Sequence, residues 1–149
     1  MKKRILSIVT GLITGFLIIS AGESFSGTLY PLPEGTDVNN KAQMILALAK
    51  MPMQAYLLLL SIYALAAMAV GIVTTLIAES GSTKIKNPTL TTEAISNKTW
   101  RPAVICGLVF TLGGVINATS LSHPTWFVIA NAFAYVPTAY AGYLMAKKK

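Results

Sequence analysis

The chain has 149 residues, of which 54% are hydrophobic and only 11% charged, with a formal net charge of +7 and a mean hydropathy of +0.61. Soluble domains carry about 25% charged residues, so the composition excludes an ordinary soluble fold, and its apolar content excludes a disordered one. The basic excess lacks a charged face over most of the chain, which excludes nucleic acid as a partner. What remains is an all-α polytopic integral membrane protein.

The first element lies between Arg4 and Glu23, where 18 residues, Ile5 to Gly22, carry no charge. About 20 apolar residues cross a bilayer, and in lipid a helix alone satisfies its own backbone. A first span is therefore expected over roughly 5–25. Met1-Lys2-Lys3-Arg4 and the small Ser20-Ala21-Gly22 also suit a cleaved signal peptide. The run is longer than the usual apolar core of such a peptide, and Ser7, Gly11 and Gly15 at spacing four suit helix packing, which favours a retained helix.

Residues 26–52 form the long outer loop. Tyr30-Pro31-Leu32-Pro33-Glu34-Gly35 reads as a stiff extended piece closing in a turn, because alternate prolines fix φ. A short helix is expected over 37–50, capped by Asp37, Asn39 or Asn40, with Met44, Ile45, Leu48 and Met51 at helical spacing. It would lie in the interface, cover the bundle as a lid, or simply extend the next span. Met51 to Ala78 is a second charge-free stretch, of 28 residues, giving a span over 53–78. Residues 79–101, rich in Ser, Thr, Asn and Lys, read as a linker near anionic headgroups. From Pro102 to Ala146 another 45 residues lack charge. Ser122-His123-Pro124 divides them into spans at 102–121 and 125–146, the second holding Pro137. The expected architecture is a single domain of four transmembrane helices.

Ten of the twelve Lys and Arg residues fall at the N-terminus, in the 79–101 linker or at the C-terminus, against Lys41 and Lys50 alone on the other side. Positive residues are retained in the cytoplasm, so both termini are expected there. Trp100, Trp126-Phe127, Tyr30 and Tyr56 lie near the span ends, where aromatic rings favour the interface.

Small residues at spacing four recur in the spans. Gly11, Gly15, Ala67, Gly71, Gly113, Gly114, Ala130 and Ala134 are the expected packing positions, since close backbone approach drives helix association in lipid. They suit a tight bundle that also packs with itself or with another membrane protein.

Chemistry-bearing residues gather near the outer surface. Asn117 lies about six residues inward from His123 and Asn131 about eight, so the two amides are expected to face each other at similar depth. Glu23 ends the first span on that side, and Tyr135 follows Asn131 by one turn. One reading makes the amides interhelical glue, Glu23 an interfacial residue and His123 a turn residue. The other makes Glu23, His123, Asn117, Asn131 and Tyr135 a proton or cation site, because a carboxylate beside an imidazole exchanges protons near pH 7. The lone Cys106 excludes an internal disulfide and a CxxC redox pair and reads as packing. A single His supports no zinc cluster, and no nucleotide loop or serine elbow occurs, so no metal, cofactor or catalytic residue is expected. The sequons at Asn97 and Asn117 read as chance, one cytoplasmic and one within a span.

At Glu23…Tyr30-Pro31, Met51-Pro52, Asn117, His123-Pro124-Thr125-Trp126-Phe127 and Tyr135-Val136-Pro137 the chain resembles an uncharacterised family of small four-helix bacterial inner-membrane proteins. That resemblance implies a multi-pass inner-membrane location and no particular activity. Small multidrug exporters are similar in having four helices and a Glu in the first, but here the Glu is expected at the span's outer edge and the first outer loop is far longer. The leading expectation is a non-enzymatic membrane protein that packs with itself or another. The alternative is a small proton- or cation-coupled transporter, and a third reading is an enzyme with Glu23 and His123 as its acid and base.

Overall fold

The computed structural model describes residues 2–80 and 99–147. The sequence readings at Gly81, Lys84, Lys86, Pro88, Asn97, Lys98, Lys148 and Lys149 lie outside these residues. Among the described residues all regular structure is helical: α1 (Lys2–Leu29), α2 (Lys41–Ala49), α3 (Met53–Glu79), α4 (Trp100–Ser120) and α5 (Thr125–Ala146).

The long helices fall on the charge-free stretches, and α1, α3 and α4 are long and apolar enough to cross a membrane. The protein is thus a membrane protein with transmembrane helices. The fourth long helix, α5, runs for 22 residues but is less apolar, because Asn131, Pro137 and three tyrosines dilute its aliphatic content. In addition, α1 continues past residue 25 to Leu29.

The α2 helix is a separate element. Asn40 caps it, its side-chain oxygen accepting from the backbone N–H groups of Ala42 at 3.1 Å and Gln43 at 3.3 Å. Lys50 ends it, and the extended Pro52 starts α3 anew. Ala47 and Leu48 are buried, and the Tyr56 hydroxyl donates to the Leu48 carbonyl at 2.7 Å. The same carbonyl also accepts from the Met51 N–H at 3.0 Å, so the phenol adds a second bond at the last turn and pins α2 to the mouth of the bundle.

The α3 helix is central, touching α1, α4 and α5, while α4 also touches α1 and α5. Gly11 faces Thr74 and Gly22 faces Ile62, so α1 and α3 are antiparallel. The α4 and α5 helices are antiparallel too, with Gly107 at Val136 and Gly114 at Asn131. In contrast α3 and α5 run parallel, Tyr56 lying on Phe127 at one end and Gly71 on Ala139 at the other. Both described chain ends therefore lie at one end of the bundle, with Glu79 and Arg101. Leu29, Lys50 and His123 lie at the opposite end.

Packing is closest where α3 meets α5. A side chain on Gly71 would strike the Ala139 carbonyl, and one on Gly142 would strike the Met68 carbonyl. Each glycine lets the partner's backbone approach, and in lipid such proximity supplies dispersion energy that water-driven burial cannot.

Candidate functional site

The site is built on the inward faces of α3 and α5, in the half of the bundle that holds the α4–α5 turn. A ladder of rings runs down it. His123 stacks on Phe127 with centroids 5.2 Å apart, Phe127 meets Tyr63 at 6.5 Å, Tyr63 stacks on Tyr135 at 5.9 Å, and Tyr135 stacks on Phe110 at 6.0 Å. Phe127, Asn131 and Tyr135 recur every four residues and so share one face of α5; all three are buried. Tyr56 closes the end nearest the α4–α5 turn, edge-on to His123 at 5.7 Å and to Trp126 at 6.0 Å. Tyr56 and Phe127 are therefore core residues and not members of an interfacial belt, whereas Trp126 and Trp100 remain exposed at helix starts.

Glu23 joins this ladder from α1. Its carboxylate accepts a hydrogen bond from the Tyr63 hydroxyl at 2.7 Å. The extension of α1 to Leu29 puts Glu23 about 9 Å inside the end of its helix at ~1.5 Å per residue. One side of Glu23 remains exposed. Around it on α1 the local hydroxyls turn inward on their own backbone: Ser24 donates to the Ser20 carbonyl at 2.9 Å and Thr28 to Ser24 at 3.1 Å.

His123 is fixed by the turn that ends α4. The His123 N–H bonds the Ala118 carbonyl at 3.0 Å and the Ser122 N–H bonds Thr119 at 3.2 Å, with Ser122 in the left-handed region at φ 52°. This pair of bonds is the Schellman motif, here with Ser where Gly is usual. The His123 Nδ1 lies 3.2 Å from the same Ala118 carbonyl. A carbonyl only accepts, so Nδ1 carries the proton and Nε2 is the free nitrogen of the neutral ring. Burial pushes the imidazole below its ordinary pKa, opposed by the Ala118 bond and by the charge of Glu23. The expected carboxylate–imidazole pair thus does not form directly: Glu23 is held by Tyr63 and His123 by a backbone carbonyl.

The two amides do not face each other. Asn131 is buried at 1% exposure with its Oδ1 unpartnered, while Asn117 is exposed on the flank of α4. What faces Asn131 is Gly114, where an added side chain would meet the Asn131 amide nitrogen at 2.8 Å and the Tyr135 ring at 2.8 Å.

Among the small residues, Gly11 abuts Thr74 and Gly15 abuts Phe110 and Val70. Ala67 is fully buried, and Ala130 and Ala134 are half-buried. Gly113 has nothing within 4 Å of where a side chain would begin, so it takes no part in packing among the described residues. Cys106 is buried, its Sγ 3.6 Å from the Ile8 carbonyl. Among the described residues no group of three His, Cys, Asp or Glu could hold a metal ion.

Sequence reasoning missed Tyr63. Its signal is the seven-residue spacing from Tyr56 within the charge-free α3, which puts both phenols on one helix face.

No family model, curated protein or solved structure matches the chain. The family resemblance drawn from its motifs gains no support from these comparisons.

Proposed function

We propose that the chain is a four-span protein of a bacterial inner membrane, with both termini in the cytoplasm, that binds a proton or small cation at Glu23 in a non-enzymatic role. Its partners on this reading are the bilayer and a second copy or another membrane protein. Counting α5 as the fourth span is supported by its length, near the ~30 Å of hydrocarbon at ~1.5 Å per residue, and by its packing along the full course of α3. The asymmetry of Lys and Arg supports the orientation.

One observation carries the functional reading: the Glu23 carboxylate, well inside α1, is held by Tyr63 from the central helix. On the four-span reading this carboxylate lies near the end of a span, and ionisable groups in such segments mark ion or proton sites. The Tyr63 bond fixes one side of it, and its exposed side leaves lone pairs for a proton or cation. Ion-coupled transport is the activity such a group would support. Uptake of cationic and neutral solutes into vesicles under an imposed pH gradient tests it. Wild-type protein is expected to give pH-dependent uptake, and Glu23→Gln to abolish that dependence while remaining folded. Equal uptake by the two proteins, or none by either, overturns the reading.

A further inference from the structure

We propose that the ion held at Glu23 is an alkali cation, and that the buried amide of Asn131 gives it a second oxygen beside the Tyr135 hydroxyl. This deepens, and rests on, the reading of Glu23 as an ion site. Asn131 is 1% exposed, and its Oδ1 has no hydrogen-bond partner among the described residues. An amide acting as glue between helices would have one. An unbonded carbonyl oxygen in an apolar interior keeps the full cost of its lost hydration.

Asn131 lies at the level of the Glu23 site. The Tyr63 hydroxyl holds Glu23 at 2.7 Å, and the Tyr63 ring has its centroid 6.5 Å from Phe127 and 5.9 Å from Tyr135. Those two residues flank Asn131 one turn on either side, on the same face of α5. Gly114 stands opposite on α4. A side chain there would come within 2.8 Å of the Asn131 amide nitrogen and 3.1 Å of the Tyr135 hydroxyl. The amide and the phenol therefore border one small space, which glycine leaves free. The charge of Glu23 also reaches that phenol. Carboxylate, phenols and amide thus follow one another from α1 through α3 to α5.

The donor set selects the ion. A proton is held by the carboxylate alone and leaves Asn131 unsatisfied. A hard cation takes several oxygens at once, neutral carbonyls and hydroxyls included, in place of its hydration shell. One placed between Glu23 and Asn131 neutralises the first and occupies the second. Among the described residues Glu23 has no cationic partner, and one carboxylate balances one charge, which favours an alkali ion over a divalent one. Water alone would satisfy the amide and leave the charge of Glu23 unbalanced.

The melting temperature of the full chain in detergent, in sodium chloride and in choline chloride at equal ionic strength, tests the proposal without requiring transport. Sodium is expected to raise it saturably, by about 2–4 °C at about five times the dissociation constant. Asn131→Leu is expected to abolish that rise while keeping or raising the melting temperature in choline, because it removes the unbonded polar group. Asn131→Asp should retain the rise, and Asn117→Leu, on the exposed flank of α4, should leave it unchanged. No rise in the wild type, a full rise in Asn131→Leu, or none in Asn131→Asp overturns the alkali ion; a water in its place gives the first of these. The uptake experiment on Glu23→Gln separates the two readings. Uptake that depends on pH through Glu23, with no sodium effect on melting, sinks the alkali ion alone, whereas failure of both sinks the Glu23 site with it.

Discussion

His123 and Ser122 show how much one turn can hold. The His123 ring is wedged between Phe127 and Tyr56 with Nδ1 on a backbone carbonyl, an environment that favours the neutral imidazole because burial opposes its charging. With the folded-state pKa below the unfolded value, the unfolded chain binds more protons through the window between them. Stability from this residue is therefore present above about pH 6.5 and is lost as pH falls through the folded-state value. The melting temperature in detergent should drop between pH 7.5 and pH 5, and His123→Gln should flatten that slope; an unchanged slope would mean that other groups carry it. Ser122 sits beside it at φ 52°, a conformation that costs an L residue about 1 kcal/mol. Ser122→Gly should accordingly stabilise the fold by about 0.5–1 kcal/mol, read as a higher melting temperature with the His123 pH dependence intact.

Helices were legible in the sequence, but their faces were not. Uncharged runs located the long helices because a charged group in hydrocarbon is costly whichever way it points. The direction of each residue needs a contrast between core and surroundings, and in lipid the outward face is as apolar as the inward one. Asn117 and Asn131 illustrate the consequence: at similar depth on adjacent helices they read as a facing pair, yet one is exposed and the other buried against Gly114. Tyr56 and Phe127 likewise lie near helix starts and are core residues. Glycine spacing carried the same ambiguity, since Gly113 and Gly114 are adjacent and only Gly114 is packed. The distinction is measurable. At Gly71 the obstacle is the Ala139 backbone carbonyl, which cannot swing aside as a side chain would. Gly71→Ala should cost at least 1–3 kcal/mol through the forced separation of α3 and α5. Gly27→Ala, with nothing within 4 Å, should be neutral or stabilising by up to about 1 kcal/mol through helix propensity. Equal melting temperatures for the two variants would refute this account of the α3–α5 contact.

At the scale of the whole molecule, two independent features agree on topology. The packing directions put Lys3, Arg101 and Lys147 at one end of the bundle and Lys50 with His123 at the other. The charge count, which uses no geometry, divides the chain in the same way: ten of twelve positive residues belong to the first group of segments and two to the second. A net charge of +7 spread evenly would have said nothing about orientation; its uneven division among the segments is what the positive-inside rule reads. The first helix is integral to this arrangement, because Gly11, Gly15 and Gly22 seat it against Thr74, Val70 and Ile62, and Glu23 reaches the ring ladder from it. Removing α1 at a signal cleavage site would uncover Val70 and Thr74 and strip Tyr63 of its acceptor. The prediction is thus a single pattern across the molecule. With Cys106 replaced by Ala, a cysteine at Lys50 in intact cells should react with a membrane-impermeant maleimide. Cysteines at Lys3 and Lys147 should react only after permeabilisation, and the Lys3 label should stay on the full-length chain. Labelling at Lys3 and Lys147 from outside would invert the orientation, whereas exposure of just one of them would break the pairing of chain ends that the helix directions require.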